Sequence, residues 1–267
     1  MFPHYRGKYT KRPSVSPQYF VRNMKLRMPD TAILVYSSGI RKGIDKILGS
    51  TRIASYEDKM FNSLGVYLNR EKGFIMAYLP IGAPITGVAT EELIAKGVRR
   101  FLIVGFAGSL NDDIGHGNVV VCTKSIRDEG VSHHYARGAM YAYPTKEFTR
   151  SIVKVMRKNG MKFRAGPSWT IDAPYMETVD EIRHYGKKGV LTVEMESAAL
   201  FAIVDSYRKK GMKVEAGAIF IISDIVTKDI KDYEFIDTKG RFSKYSVEDR
   251  VKEIATVIRD LKRVQIR

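Results

Sequence analysis

Polar residues that could do chemistry stand directly after four apolar runs of the chain. These segments lie at residues 37–41, 105–109, 194–196 and 223–224. Short apolar runs that end at glycine or polar residues are typical of buried strands followed by loops. Because ligands of open α/β sheets bind at the carboxyl ends of the strands, the sequence predicts that these four segments form the site.

Two of the segments could bind an anion or approach a ligand through the backbone. Ser37 and Arg41 bracket the start of a predicted helix, where free amides favour an anion and a guanidinium can grip phosphate oxygens. The alternative is an ordinary helix cap with a solvated arginine. Gly105 and Gly108 predict a turn after a strand, and such glycines either admit a ligand close to the backbone or only tighten the turn.

The other two segments supply carboxylates. Glu194 and Glu196 flank Met195 at a strand-to-helix junction, where a carboxylate can accept hydrogen bonds from sugar hydroxyls or simply favour the helix N-terminus. Asp224 follows Ser223 at the end of an apolar run, where it can act as a general acid or cap a turn. The mostly apolar sequence after Glu196 indicates that these carboxylates border the core.

Strands that alternate with helices must position these segments. The apolar runs that predict strands lie at 31–36, 64–68, 74–79, 101–105, 118–122, 163–170, 191–193 and 214–222. The helical patterns lie at 40–49, 85–97, 145–158, 178–188, 195–210 and 247–262, with Ser246 as the predicted cap of the last. This alternation predicts one α/β domain with a mixed, mostly parallel central sheet flanked by helices in three layers.

Composition and charge narrow the class of protein. The chain has 267 residues, of which 44% are hydrophobic and 28% charged, as in ordinary soluble proteins. Residues 1–30 contain seven Lys or Arg and four Pro, which predicts a basic arm with one short helix at 16–24, ahead of a domain at 31–267. With Cys122 as the only cysteine, a disulfide scaffold and a cysteine-based zinc site are excluded.

The same composition sets expectations for partners and location. No run approaches the roughly 18–20 apolar residues of a membrane helix, and no secretory signal is evident, so we expect a cytoplasmic protein without a membrane partner. The net charge is +16, and the Lys and Arg residues are spread along the chain and mixed with acidic residues. This distribution favours attraction of a small anion over nucleic acid binding. His133 and His134 are adjacent and lack a third ligand pattern, so no metal is expected.

Taken together, the motifs resemble a known enzyme family. The motifs are Val-Gly-Phe-Ala-Gly-Ser-Leu at 104–110, Arg-Asp-Glu-Gly-Val-Ser-His-His-Tyr at 127–135, Thr-Ile-Asp-Ala-Pro-Tyr at 170–175, Val-Glu-Met-Glu-Ser-Ala-Ala at 193–199 and Ile-Ile-Ser-Asp at 221–224. They resemble the purine nucleoside and uridine phosphorylases of the hexameric type, from about residue 31 to the C-terminal helix. The resemblance implies cleavage of a ribonucleoside by inorganic phosphate to a free base and ribose 1-phosphate, without a cofactor. It also implies a homo-oligomer, a hexamer built as a trimer of dimers.

The resemblance implies a role for each residue of the nucleoside site. Glu196 binds the ribose hydroxyls and Met195 packs against the sugar. Asp224, beside Ser223, protonates a purine base at N7 as the base leaves. The base pocket is completed by Ala107, Gly108 and Tyr175.

The phosphate site implied by the resemblance consists of Arg41, Ser37 and Gly105, and here the chain departs from the family. Ile103 stands where the family usually has a second phosphate-binding arginine, and Phe106 stands where a hydroxyl residue is usual. Related nucleosidases, which use water, also lack that arginine, but they carry a glutamate in the first loop that this chain does not have. Phosphorolysis is therefore favoured, with a nucleosidase or AMP nucleosidase-like hydrolase as the alternative.

Base preference rests on a single pair of residues. Ser223 and Asp224 match the purine-specific form, since a uracil leaving group needs hydrogen-bond donors at its oxygens instead of an acid. The segment at 127–135 resembles the uridine phosphorylase-like subgroup. A purine nucleoside is the favoured substrate, and uridine remains open.

Overall fold

The computed structural model of the protein describes residues 5, 7–25, 27–53, 65–227 and 247–261. The α-helices are α1 (Pro17–Val21), α2 (Ser38–Leu48), α3 (Ala83–Ala95), α4 (Lys146–Lys158), α5 (Val179–Lys187), α6 (Ser197–Lys209) and α7 (Val247–Leu261). The strands are β1 (Thr31–Val35), β2 (Thr51–Ile53), β3 (Gly65–Asn69), β4 (Phe74–Tyr78), β5 (Arg100–Ser109), β6 (Val119–Asp128), β7 (Tyr141–Ala142), β8 (Arg164–Ile171), β9 (Thr192–Glu194) and β10 (Glu215–Ile225). Short 3-10 helices lie at Lys8–Thr10, Ser132–His134 and Pro174–Met176.

The sheet is mixed and is organised around β5. This long strand pairs in parallel with β1 on one side and with β10 on the other. From β10 the pairing continues through β6, β8 and β9 and returns to β5, so that five strands close into a ring. The strands β1, β4, β3 and β2 extend from β5 as an open sheet. The longest ladders, β5 with β10 and β6 with β8, are parallel, which confirms the predicted mixed sheet.

Helices cover both faces of the sheet because successive strand residues point to opposite sides. On β1, Ala32 and Leu34 join a cluster with α3 and α6, whereas Ile33 and Val35 join a cluster with α2, α4 and α7. A third cluster, under α5, lies at the end of the ring near Trp169. This arrangement confirms the predicted three-layer α/β fold.

Parts of the predicted basic arm contact the body of the protein. Val21 of α1 and Met28 are buried, and Met28 belongs to the cluster under α3 and α6. The hydroxyl of Tyr9 donates a hydrogen bond to the carbonyl of His133. Among the described helices, none is both long and apolar enough to cross a bilayer.

Two strands run further than the apolar patterns indicated. The predicted turn at 105–109 is wrong, because β5 continues as strand to Ser109, paired with β9 and β10. In the same way β10 continues beyond residue 222 to Ile225. Partners on both sides supply backbone hydrogen bonds, and these outweigh the turn preference of glycine. Ser246 and residue 262, predicted at the two ends of the last helix, lie outside the described residues.

A buried ion pair joins the first residues of the two central strands. Arg100 and Glu215 are register partners of β5 and β10, and the Arg100 Nε and Nη2 atoms lie 3.1 and 2.9 Å from Glu215 Oε2. Their side chains are 3% and 2% exposed. A buried charge without its partner is costly, so the pair favours the observed register at the start of β5 and β10.

Glu215→Ala should lower the free energy of unfolding by about 3–5 kcal/mol, because it leaves the guanidinium of Arg100 buried without its carboxylate. Urea unfolding followed by circular dichroism measures this change. The matched control is Asp205→Ala, which removes an ion pair with Lys209 whose side chains are 71% and 46% exposed. Exposed pairs contribute little, so similar losses in both variants would contradict a structural role for the buried pair.

Candidate active site

Several strand ends meet at one edge of the sheet. The strands β4, β1, β5 and β10 are successive parallel neighbours, so their carboxyl ends lie side by side. β9 runs antiparallel to β5, with Val193 paired to Gly108. The carboxyl end of β9 therefore lies beside the last residues of β5. Asp224 of β10 is the register partner of the same Gly108. The structure thus brings residues 105–109, 194–196 and 223–224 together, with residue 37 beside them at the end of β1.

Gly108 lies at a close approach of three strands. A Cβ atom at this position would lie 2.8 Å from Val226 Cγ1, 3.0 Å from Asp224 Oδ2 and 3.1 Å from Val193 Cγ1. Only glycine fits such a spacing without displacing its neighbours. A Cβ atom at Gly105 would meet its neighbours at an ordinary 3.8 Å. Gly108 is therefore required by packing between strands and not by a turn.

A β-bulge aims the Asp224 side chain. The register between β5 and β10 shifts between Ile222 and Asp224, which leaves Ser223 as the extra residue. Bulges redirect side chains and are frequent next to active sites. The Ser223 hydroxyl donates to Asp224 Oδ1 at 2.5 Å, while Oδ2 faces Gly108. Both residues are buried, so the carboxyl group predicted as the general acid is held in one orientation at a poorly solvated position.

The carboxylate of Glu194 is buried and fully used by the protein. Oε2 accepts hydrogen bonds from the backbone amides of Glu196 at 2.9 Å and Ser197 at 2.8 Å. Oε1 accepts from the hydroxyls of Ser197 at 2.6 Å, Ser168 at 3.3 Å and Thr170. Burial raises the pKa of Glu194, and the hydrogen bonds from Ser197 and Thr170 oppose this rise. Glu194 thus stabilises the N-terminus of α6. This is the second of the two roles that the sequence allowed, the other being sugar binding.

Glu196 makes fewer contacts within the protein. Its Oε1 accepts from the backbone amide of Gly82 at 2.7 Å, and its Oε2 accepts from that of Met195 at 3.3 Å. Burial, followed by the charge of Glu194, raises the pKa of Glu196 to about 8, although the two amides act in the opposite direction. A carboxylate has about four acceptor positions. Glu196 therefore retains capacity for two further donors, such as neighbouring sugar hydroxyls.

Glu196 is held by a loop, residues 79–82, that was not among the predicted site segments. Thr86 donates to the carbonyl of Gly82 at 2.9 Å, so the Tyr36 hydroxyl, 2.9 Å from Thr86 Oγ1, is the donor to Thr86. Burial and the nearby charge of Glu196 raise the pKa of Tyr36. Gly82 has φ of 119°, a conformation that favours glycine. The sequence contained a signal for this loop, because residues 79–82 follow an apolar strand and precede Pro84 at a helix start. Ligands of open α/β sheets bind at such positions after the carboxyl ends of strands.

In residues 37–41, the segment predicted to bind phosphate, the side chains already make contacts within the protein. Ser37 Oγ accepts from the backbone amides of Gly39 at 3.2 Å and Ile40 at 3.4 Å, which is the capping role left open for it. The Arg41 guanidinium lies 3.7 Å from the Asp45 carboxylate. It also lies 4.6 Å from the centre of the Tyr67 ring. An anion that binds at the start of α2 would have to displace the Ser37 hydroxyl from two amides.

The remaining predicted site residues differ in their placement. The carbonyl of Ala107 accepts from Ser223 Oγ at 3.4 Å, beside Asp224. Met195 is half-buried next to Glu196. Tyr175 is 100% exposed in the 3-10 helix Pro174–Met176, so it does not pack against the carboxylates. Within the described ranges, no group of three or more His, Cys, Asp or Glu side chains is arranged to hold a metal ion.

A comparison with known families agrees with this geometry. Residues 61–259 match the phosphorylase superfamily. The chain belongs to this superfamily. Membership confirms the family that the sequence motifs indicated, and it confirms the prediction of an enzyme.

Individual members of the superfamily are similar over parts of the chain. A guanosine phosphorylase from Halorubrum lacusprofundi is 31% identical over 173 residues, which are 64% of this chain and 70% of that protein. A uridine phosphorylase from Escherichia coli is 32% identical over an alignment of 149 residues, and the match covers 51% of this chain and 59% of that protein. A purine nucleoside phosphorylase from a Geobacillus strain is 30% identical over 137 residues, 50% of this chain and 57% of that protein. The chain thus spans little more than half the length of two of these relatives.

A solved structure agrees in fold. The uridine phosphorylase from Vibrio fischeri, complexed with 6-hydroxy-1-naphthoic acid, superposes with a TM-score of 0.69 at 21% identity. The match covers 88% of this chain and 93% of that chain. At this level of identity the likeness supports the fold, and it says nothing about the substrate.

The raised pKa of Glu196 should make stability depend on pH. Between the ordinary value of 4.5 and about 8, the folded state holds a proton that the unfolded chain has lost. The stabilisation from this group is complete below the lower value and is lost as the pH rises through the upper one. Glu196→Gln carries no such proton. Its free energy of unfolding, relative to that of the unmodified protein, should therefore increase as the pH rises from about 5 to about 9.

Urea unfolding at several pH values measures this difference. Asp180→Asn is the control, because the Asp180 side chain is 95% exposed and should follow the unmodified protein at every pH. A constant stability difference between Glu196→Gln and the unmodified protein across the range would show that Glu196 is ionised normally in the folded state.

Proposed function

We propose that the protein is a nucleoside phosphorylase that cleaves the N-glycosidic bond of a purine ribonucleoside with inorganic phosphate. The products are the free base and ribose 1-phosphate. The observation that carries this proposal is the carboxyl group of Asp224, buried and oriented by the Ser223 hydroxyl over Gly108. Such a group suits protonation of a purine at N7, which makes the base a better leaving group.

The carboxyl group of Glu196 is suited to bind the sugar. Glu196 is held by the amide of Gly82 at the start of α3 and retains two acceptor positions. Accepting hydrogen bonds from the ribose hydroxyls would fix the ring while positive charge develops at the anomeric carbon. Hydrogen bonds from the ribose hydroxyls favour the ionised form of Glu196 over the protonated form of the empty site. The negative charge of that form then stabilises the oxocarbenium-like transition state, as in other glycosyl transfers.

The phosphate site is proposed at the end of β1. Arg41 is the described guanidinium nearest in sequence to the end of β1, and Ser37 caps the helix amides beside it. Ile103 is buried in the core and cannot contact an anion. We propose that Arg41 turns from Asp45 to phosphate when phosphate binds. Assembly as a homo-oligomer stays a prediction of the resemblance.

An assay of inosine, guanosine, adenosine and uridine, each with and without phosphate, tests the function. The expected result is release of purine base together with ribose 1-phosphate, and no reaction without phosphate. Base release with free ribose in the absence of phosphate would indicate the hydrolase alternative. Faster turnover of uridine than of any purine nucleoside would overturn the proposed substrate class.

Asp224→Asn keeps the shape of the side chain but cannot deliver a proton. General acids contribute roughly 10²–10⁴-fold to rate, so we expect a kcat loss of that order on inosine with KM for the nucleoside nearly unchanged. On 7-methylguanosine, whose base already carries a positive charge, the loss should be much smaller. Equal losses on the two nucleosides would assign Asp224 to positioning of the base instead of protonation. Steady-state kinetics on the purified variant measures both.

A further inference from the structure

The ring of Tyr36, the residue directly after β1, packs at the strand ends that form the candidate site. A Cβ atom at Gly105 of β5 would lie 3.8 Å from Tyr36 Cδ2, so the ring lies close to that strand. The ring also packs against the buried cluster under α3 and α6. The position of the Tyr36 hydroxyl is therefore determined by the packing of its ring.

The hydroxyl of Tyr36 starts a chain of hydrogen bonds through Thr86, a fully buried residue in the first turn of α3. Thr86 donates its one hydroxyl proton to the carbonyl of Gly82 at 2.9 Å, so its oxygen accepts from Tyr36 at 2.9 Å. Burial, followed by the charge of Glu196, raises the pKa of Tyr36, which therefore keeps its proton and remains the donor. Successive hydrogen bonds in a low-dielectric interior strengthen one another.

Gly82 connects this chain of hydrogen bonds to Glu196. The carbonyl of Gly82 accepts from the Thr86 hydroxyl and also from the Thr86 amide, at 3.3 Å. The amide of Gly82 donates to Glu196 Oε1 at 2.7 Å. Because glycine has wide conformational freedom, the bonds to its carbonyl limit the directions in which the Gly82 amide can point.

The amide of Gly82 is the contact that joins the Glu196 carboxyl group to α3. The other backbone donor to Glu196, the amide of Met195, belongs to the preceding residue and lies at the longer distance of 3.3 Å from Oε2. A shift of the Gly82 amide would therefore change where Glu196 presents its remaining acceptor positions.

We propose that Tyr36 is a positioning residue for Glu196. Acting through Thr86 and Gly82, it holds the carboxylate where the carboxylate accepts a hydrogen bond from the 2′-hydroxyl of the substrate. Tyr36 thereby sets a preference for ribonucleosides over 2′-deoxyribonucleosides without touching the sugar. This inference rests on the proposed nucleoside phosphorylase activity.

Tyr36→Phe tests the inference, because it keeps the packing of the ring and removes only the hydroxyl. The ratio of kcat/KM for inosine to kcat/KM for 2′-deoxyinosine should fall about tenfold, since a hydrogen bond to a charged group is weakened when the carboxylate shifts. The 2′-deoxynucleoside lacks the hydroxyl that makes this bond and loses less. A general loss of folded protein lowers both constants equally and leaves the ratio unchanged. Steady-state kinetics at saturating phosphate measures the ratio.

Thr86 offers a second pair of variants. Thr86→Val removes the hydroxyl that links Tyr36 to Gly82, so it should lower the ratio as Tyr36→Phe does. Thr86→Ser retains a hydroxyl and should keep the ratio of the unmodified protein. The matched control is Tyr207→Phe, which removes a tyrosine hydroxyl that donates to the Glu91 carboxylate on the same helix, α3. This control should also leave the ratio unchanged.

The amide of Gly82 gives a readout without substrate. In protein labelled with isotope-enriched glycine, a short hydrogen bond to a carboxylate shifts the amide proton resonance downfield. Glu196→Gln replaces the acceptor and so identifies the Gly82 resonance. That resonance should move in Tyr36→Phe and Thr86→Val, and it should stay in place in Thr86→Ser and Tyr207→Phe.

The outcomes separate the inference from the proposed function. An unchanged ratio in Tyr36→Phe and Thr86→Val would overturn the inference. A ratio that falls while the Gly82 resonance stays in place would also overturn it, since Tyr36 would then act on the sugar directly. If uridine proves to be the substrate, the same ratio measured with uridine and 2′-deoxyuridine tests Tyr36. If the unmodified protein cleaves no nucleoside, the proposed function itself fails, and the Gly82 resonance still tests the hydrogen-bond chain.

Discussion

The active site depends on one buried carboxylate and the donors that satisfy it. An ionised group in the interior is costly unless it is hydrogen-bonded, and Glu194 finds its donors on two other elements, β8 and the start of α6. These bonds join the end of β9 to both elements. They also fix the backbone at Met195, beside Glu196, whose Oε1 accepts from the amide of Gly82. The residue proposed to bind the sugar is thus positioned by a neighbour whose own carboxylate is satisfied within the protein.

A second constraint is steric. Gly108 allows β9 and β10 to approach β5 so closely that a single added carbon would meet Val226, Asp224 and Val193. The segment after β9 and Asp224 on β10 therefore lie close to the same residue of β5. The bulge at Ser223 sets the orientation of Asp224 there. Backbone geometry, more than loop sequence, brings the proposed sugar ligand and the proposed acid to the same strand ends.

The electrostatics of the site are opposite to those of the whole chain. The protein carries a net charge of +16, yet Glu194, Glu196 and Asp224 are buried at the strand ends of the candidate site. Burial raises the pKa of Glu194 and Glu196, which favours the protonated form of these groups. The contacts available to phosphate are sparse by comparison, because Ser37 caps the amides of α2 and Arg41 pairs with Asp45.

The sequence by itself determined most of the helices and strands and most of the residues of the candidate site. Apolar runs located the strands, and polar residues after them identified Glu196 and Asp224, because burial and strand polarity are local patterns. It could not determine that β5 and β10 continue through the expected turns, that the hydrogen bonds of Glu194 are taken up by Ser197 and Thr170, or that the amide of Gly82 holds Glu196. Those facts depend on contacts between segments far apart in the chain. The antiparallel pairing of β9 with β5 and the parallel pairing of β9 with β8 create part of these contacts, and only the folded chain brings those strands together.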